Sequence, residues 1–204
     1  ACSSAYGEHP GLPKVENEIG RPLSPYAVTK YVNELYADVF SKAYCMECIG
    51  LRYFNVFGSR QGANGVYASV ISKWFDATRS LSRCFISWGG ETSRGFSYIA
   101  NTIQVNLLEE TTNNLQAIDE IYNIAFGART TLNQLHDYIR DLWLKKIPDT
   151  TTLTPHYRDF RDSDMRDSLS DITKVTTRLS YVPSQGVRPG LSEMAKRLLS
   201  TLPS

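Results

Sequence analysis

The sequence predicts an α/β fold with a smaller part inserted into it. Two short apolar runs, 48–53 and 121–125, read as buried strands. Stretches of helical period stand before, between and after them. From residue 54 to 98 the pattern breaks into short strands and turn-rich loops, and the smaller part enters there, after the strand at 48–53.

Each element has a local reason. Residues 1–6 look like the end of a buried strand running into a loop, and 7–23, with Gly, Pro and charge, like a surface loop. A helix starts at Pro25. Ser24 is a good N-cap, Pro25 suits the first helical position, and Val28, Val32, Leu35 and Val39 form an apolar stripe to about Ala43. The strand at 48–53 delivers Phe54 and Asn55 at its C-terminal end, where open α/β sheets bind their ligands. Residues 58–65 form a turn-rich loop, and Val66 to Thr78 has helical spacing. Phe85-Ile86 is a short strand, 88–95 is glycine-rich, and Phe96 to Tyr98 is a further short strand. Ile99 to Glu110 is a helix, and Thr131 to Leu144 is another, capped by Thr130 or Thr131. A polar, Arg-rich segment begins at Tyr157, and helices are expected at Asp171–Leu179 and Pro189–Leu199.

Composition narrows the function classes. The net charge of +1 gives no reason to expect a nucleic acid or an anionic membrane as partner. No apolar run is long enough for a membrane span, and the opening Ala-Cys-Ser-Ser-Ala does not read as a signal peptide. Cys45-Met46-Glu47-Cys48 is a C-x-x-C, but no second clustered pair completes a zinc site. It also sits where a helix ends, not where one opens and lowers a thiol pKa. Reduced thiols and a cytoplasmic location are the expectation.

Tyr26 and Lys30 are four residues apart, so they share one helix face. An ammonium there stabilises phenolate, and a phenolate is a base; moving a tyrosine from about 10 to near 7 asks for roughly 4 kcal/mol from neighbouring positive charge. Ser3-Ser4 and Tyr6-Gly7 stand upstream, and Arg52-Tyr53-Phe54-Asn55 downstream. With the runs 6–16, Gly90 to Arg94 and 157–162, this order resembles the extended short-chain dehydrogenase/reductase family over about residues 1–190. Within it the chain is most similar to the UDP-N-acetylglucosamine 4-epimerases.

The resemblance implies a partial Rossmann fold, the second half of the doubly wound sheet, with a small mixed α/β C-terminal substrate-binding domain. Residues 1–57 and about 96–126 would form the first, and 58–95 and 127–204 the second. It implies NAD as cofactor, a UDP-sugar as substrate, and a homodimer. Tyr26 would be the base, Lys30 would hold the nicotinamide ribose and assist Tyr26, and Ser3 and Ser4 would bond the sugar 4-oxygen. Asn55, Arg94 and Arg161 would bind phosphate or sugar oxygens, and Phe85 would lie beside the uracil. Cys2, Ser69 and Ser168 would frame the sugar 2-position, and their small size leaves room for an N-acetyl group.

Departures are also legible. No glycine-rich turn of dinucleotide-binding spacing occurs in these 204 residues, so the chain is expected to be a C-terminal fragment with a bare sheet edge. Arg94-Gly95-Phe96 replaces the family's Arg-Asp-Phe, removing a carboxylate expected to fix local structure. Trp88 stands in a tight turn in place of a glycine. A nucleotide-sugar dehydratase on the same scaffold would want an Asp-Glu pair where Cys2, Ser3 and Ser4 stand. A non-catalytic remnant, or a module completed by a partner, is the other alternative.

Overall fold

A computed structural model describes residues 1–65, 68–80, 82–144, 154–159 and 167–200 of the chain. The expected strands and helices from residue 25 onward are present among these residues, with shifts at their ends. The elements are α1 (Pro25–Tyr44), β1 (Ile49–Tyr53), β2 (Val56–Phe57), α2 (Val70–Arg79), β3 (Phe85–Ser87), β4 (Ser93–Arg94), β5 (Ser97–Tyr98), α3 (Ile99–Glu110), β6 (Glu120–Ile124), β7 (Thr130–Thr131), α4 (Leu132–Leu144), β8 (His156–Arg158), α5 (Thr173–Leu179) and α6 (Val187–Leu199).

Local chemistry fixes the helix starts. Ser24 Oγ accepts the Ala27 amide at 3.1 Å, and Pro25 occupies the first position of α1. Thr131 caps α4 reciprocally: its hydroxyl accepts the Gln134 amide, and the Gln134 side chain accepts the Thr131 amide, both at 3.1 Å. Thr131, not Thr130, is therefore the cap. α2 begins at Val70, and Val66 of the expected helix lies outside the described residues.

The sheet is parallel where the ligand end is expected. β1 pairs with β6 from Ile49↔Glu120 to Tyr53↔Ile124. On the other edge of β1, Cys2 bridges Tyr53 in parallel, and the chain then winds into a 3-10 turn at Ser3–Tyr6. The expected strand end at 1–6 is thus a single bridge followed by that turn. Gly7 closes the turn at φ 52, where an added Cβ would lie 1.8 Å from the Arg21 carbonyl oxygen, so only glycine fits.

Two apolar clusters organise the packing. Leu51 and Tyr122 of the sheet pack with Val105 of α3 and Val175 and Leu179 of α5. Trp74 and Phe75 of α2, Leu135 and Trp143 of α4, and Leu191 and Met194 of α6 pack with Ile86 and Phe96. α5 therefore lies against the β1–β6 sheet, although it falls within 127–204, while α2, α4 and α6 build the second body.

Segment 7–23 departs from a plain surface loop. Lys14 is buried, its amide donates to the Leu169 carbonyl at 2.7 Å, and its carbonyl accepts the Asp171 amide. Asn123 Nδ2 donates to the Lys14 carbonyl, and the Glu16 carboxylate accepts the Asn123 amide. Beside this lies a buried ion pair. Arg52 Nε and Nη2 donate to the two oxygens of Glu34 at 2.8 and 2.6 Å, and Nη1 donates to the Glu16 carbonyl. Burial works against the Arg52 charge, but the hydrogen bonds and charge of Glu34 outweigh it and hold the guanidinium above its ordinary range.

Two stability measurements follow. Arg52→Met alone strands the Glu34 carboxylate and is expected to cost ~3–5 kcal/mol in urea unfolding, while Arg52→Met with Glu34→Leu recovers most of it. In alkaline titration, Tyr6, Tyr122 and Tyr181 are pushed up to about 12 by burial. Each donates its hydroxyl proton, to Asn123 Oδ1, the Ala117 carbonyl and the Ala125 carbonyl respectively. Unfolded tyrosine ionises near pH 10, so their contribution is complete below about pH 10 and lost as pH rises toward 12. A flat unfolding free energy over that window contradicts the assignment.

Candidate active site

Tyr26 and Lys30 project from the first turns of α1, both half-buried, with Lys30 Nζ 5.3 Å from the Tyr26 ring centroid. α1 packs on the Ser3–Tyr6 turn, which brings the two predicted serines to the same helix. Ser3 is buried. Ser4 gives its carbonyl to the Gly7 amide, while its Oγ is shut from solvent and has no hydrogen-bond partner. An orphaned buried hydroxyl costs stability unless something bonds it.

The second part of the site hangs on Gly95. Asn55 takes φ 34 just past β1, a left-handed conformation that asparagine tolerates. Its Nδ2 donates to the Gly95 carbonyl at 2.9 Å, and its own carbonyl accepts the Ser97 amide. The Gly95 amide donates to Ser168 Oγ at 3.2 Å, and the Ser168 amide donates to the Ser93 carbonyl. Ser93 is held further by Asp167, which accepts from its amide and its hydroxyl. Asn55 and Ser168 thus bond the backbone of Gly95 directly. Arg94, half-buried in β4 opposite Thr130 of β7, is carried by this clasp.

Several sequence expectations shift here. Ser168 is fully buried with its hydroxyl on Gly95, so its first role is to close the clasp. Ser69 stands half-buried before α2 with no capping bond. Phe85 is 40% exposed on β3, with the Arg158 guanidinium over its ring. Arg161 and Arg166 lie outside the described residues. In the turn that holds Trp88, the left-handed positions are Gly89 at φ 63 and Gly90 at φ 79. The structure packs the helix that carries Tyr26 and Lys30 on the turn that carries Ser3 and Ser4, and it bonds Asn55 and Ser168 to Gly95, next to Arg94. Sequence reading missed Glu34, Glu16 and Asn123, whose polar side chains carry no periodic signal. Cys45 and Cys48 are free thiols, with Cys45 left-handed at the end of α1. Among the described residues no acid, His and Cys cluster could hold a metal, and no helix is long and apolar enough to cross a membrane.

Comparison with known proteins finds relatives of the whole chain. The family model described as GDP-mannose 4,6 dehydratase matches residues 1–194. The chain is 37% identical over 137 residues to a candidate UDP-glucose 4-epimerase of Methanocaldococcus jannaschii, covering 67% of this chain and 43% of that one. A solved UDP-N-acetylglucosamine 4-epimerase of Methanobrevibacter ruminantium, in complex with UDP-N-acetylmuramic acid, superposes with TM-score 0.88 at 33% identity. That match covers 99% of this chain and 62% of the solved one. A UDP-glucuronic acid 4-epimerase of Bacillus cereus, in complex with UDP-glucuronic acid and NAD, gives TM-score 0.82 at 25% identity, over 97% and 60%. The chain thus spans about half the length of the curated relatives it matches.

The two serines are expected to respond in opposite directions in urea unfolding. Ser168→Ala leaves the Gly95 amide unpaired and should cost ~1–3 kcal/mol. Ser4→Ala removes a hydroxyl that bonds nothing in the chain and should leave the midpoint unchanged or raise it. Equal losses would contradict the orphan assignment of Ser4.

Proposed function

The chain belongs to this family of extended short-chain dehydrogenases, and we propose that it carries the proton-transfer and substrate-binding half of an NAD-dependent UDP-sugar 4-epimerase. The observation that carries the reading is the Tyr26–Lys30 pair on a helix packed against a turn whose Ser4 hydroxyl is buried without a partner. UDP-N-acetylglucosamine and UDP-N-acetylgalactosamine are the proposed substrate pair. The small side chains of Cys2 and Ser69 support that choice.

The residues fit the nicotinamide end of NAD. Tyr26 and Lys30 are half-buried, so one face of each pair member stays open, and an orphaned hydroxyl lies on the adjoining turn. Lys30 would hold the nicotinamide ribose. When bound, the cofactor supplies an acceptor for hydride from the sugar C4 and a donor for its return. The chain's own work is proton movement and placement. Tyr26 Oη takes the proton of the 4-hydroxyl and later returns it. Lys30 Nζ stabilises the phenolate form by its charge. Ser3 and Ser4 hold the 4-oxygen. Arg94, Arg161 and Asn55 bind the diphosphate and sugar oxygens, with the permanent Arg charge offsetting that of the phosphates.

The same reading divides the chain into a cofactor side, 1–57 and about 96–126, and a substrate side, 58–95 and 127–204. The exposed apolar residues of α1, including Val28, Val39 and Phe40, support a homodimer through that helix.

Calorimetry with UDP and proton NMR of the sugar nucleotide test the proposal. With NAD and UDP-N-acetylglucosamine, the anomeric signal of UDP-N-acetylgalactosamine is expected to grow in. Tyr26→Phe should slow that conversion by about 10²–10⁴-fold while UDP affinity stays within about twofold. No UDP binding, or full turnover in Tyr26→Phe, overturns the reading.

A further inference from the structure

Tyr26, Lys30 and Glu34 follow one another at four-residue steps along α1, so they lie on one side of the helix. A lysine and a glutamate at that spacing are placed to pair. Here both oxygens of Glu34 go instead to Arg52, at 2.8 and 2.6 Å, and Lys30 Nζ lies 5.3 Å from the Tyr26 ring centroid. Arg52 is itself fixed from several sides. It is 1% exposed in β1, its Nη1 donates to the Glu16 carbonyl, and the Tyr6 ring covers its guanidinium. A planar, permanently charged fork bonds both oxygens of a carboxylate at once, which an ammonium does not. Glu34 is therefore held by the strand and not by its neighbour on the helix.

The choice of partner matters for charge. An ammonium favours a phenolate only as far as no carboxylate cancels it. The other charged groups around this side of α1 are engaged elsewhere. Asp38, one turn beyond Glu34, pairs with Lys42. In the loop that runs into the helix, the Glu16 carboxylate accepts the Asn123 amide, Glu18 faces His9, Glu8 faces Arg21, and Lys14 Nζ donates to the His9 carbonyl. The adjoining turn brings Cys2 and Tyr6, and burial pushes Tyr6 up to about 12, so it is neutral below that pH. The Ala1 amino group is held below its ordinary range by burial, and it lies within charge range of Glu34, Cys2, Lys30 and Arg52 alike. These charges thus form one neighbourhood, in which Glu34 is the carboxylate set to compete with Tyr26 for Lys30.

We propose that Arg52 is a positioning residue of the proton site: by taking both oxygens of Glu34 it keeps that carboxylate from Lys30 and leaves the Lys30 ammonium to Tyr26. Arg52 touches neither the sugar nor the cofactor in this role. It acts through Glu34, and the buried ion pair then serves the basicity of Tyr26 as well as the seating of α1. This assignment rests on the reading of Tyr26 as the base of the chain.

NMR of the full chain, labelled with ¹³C at the tyrosine ζ carbon and titrated with alkali, follows the Tyr26 phenolate without turnover; Tyr26→Phe assigns its signal. Arg52→Met leaves the stranded Glu34 carboxylate to draw on Lys30 and is expected to move the Tyr26 midpoint up by about half a pH unit to one pH unit. Glu34→Gln leaves the Arg52 charge uncovered and should move the midpoint down by a similar amount. Arg52→Met with Glu34→Leu removes both charges and should return it to the parent value. Circular dichroism identifies the variants that fold, and Glu34→Gln, which keeps the size of the side chain, carries the test where Arg52→Met does not. A midpoint that stays at the parent value in folded Glu34→Gln removes the assignment. An upward move shared by every variant makes the pair a support of the fold alone and also removes it. Turnover is read separately: a parent chain that neither binds UDP nor converts UDP-N-acetylglucosamine with NAD overturns the functional reading and leaves the titration result standing.

Discussion

Arg52 reaches from β1 to Glu34 of α1 through two hydrogen bonds, at a place where the two side chains are 1% and 3% exposed. A charge in such a site cannot be left alone, so the pair dictates how α1 lies on the strand. The Tyr6 ring covers the guanidinium at 4.8 Å, and the Tyr6 hydroxyl continues to Asn123 on β6. The turn that carries Ser3 and Ser4 is thereby tied to the helix that carries Tyr26 and Lys30. A buried ion pair gives modest net stability against an apolar substitute, but removing one partner leaves a buried charge unpaired.

The other half of the site is built on different physics. Around Gly95 the holding groups are backbone amides and carbonyls with short neutral partners, Asn55 and Ser168. An added Cβ at residue 95 would come within 3.3 Å of the Ser168 carbonyl oxygen, tight enough to disturb the clasp. One half of the site is thus placed by charge in a dry interior, and the other by hydrogen bonds that any displacement of the segment would break.

The outer faces of the sheet region have a different character. Among the described residues, β1 pairs along its length with β6 on one edge, and on the other Cys2 meets it at Tyr53. A cavity of about 350 Å³ runs beside this edge, lined by Ile49, Gly50 and Leu51 and by Glu34 and Asp38 of α1. Parallel strands normally have neighbours on both sides.

By itself the sequence determined what is local. The Ser24-Pro25 start of α1, the spacing of Tyr26 and Lys30, the strand that ends at Asn55 and the strand–helix order all follow from caps, periodicity and turn residues acting within a few positions. Only the tertiary structure decided the rest. It chose Glu34 for Arg52 and drew the charged loop at 7–23 onto Asn123. It engaged the Ser168 hydroxyl with Gly95, left Ser4 without a partner, and stacked Arg158 on Phe85. These are single pairings between residues far apart in the chain, set by burial and hydrogen-bond need, and nothing periodic in the sequence marks them.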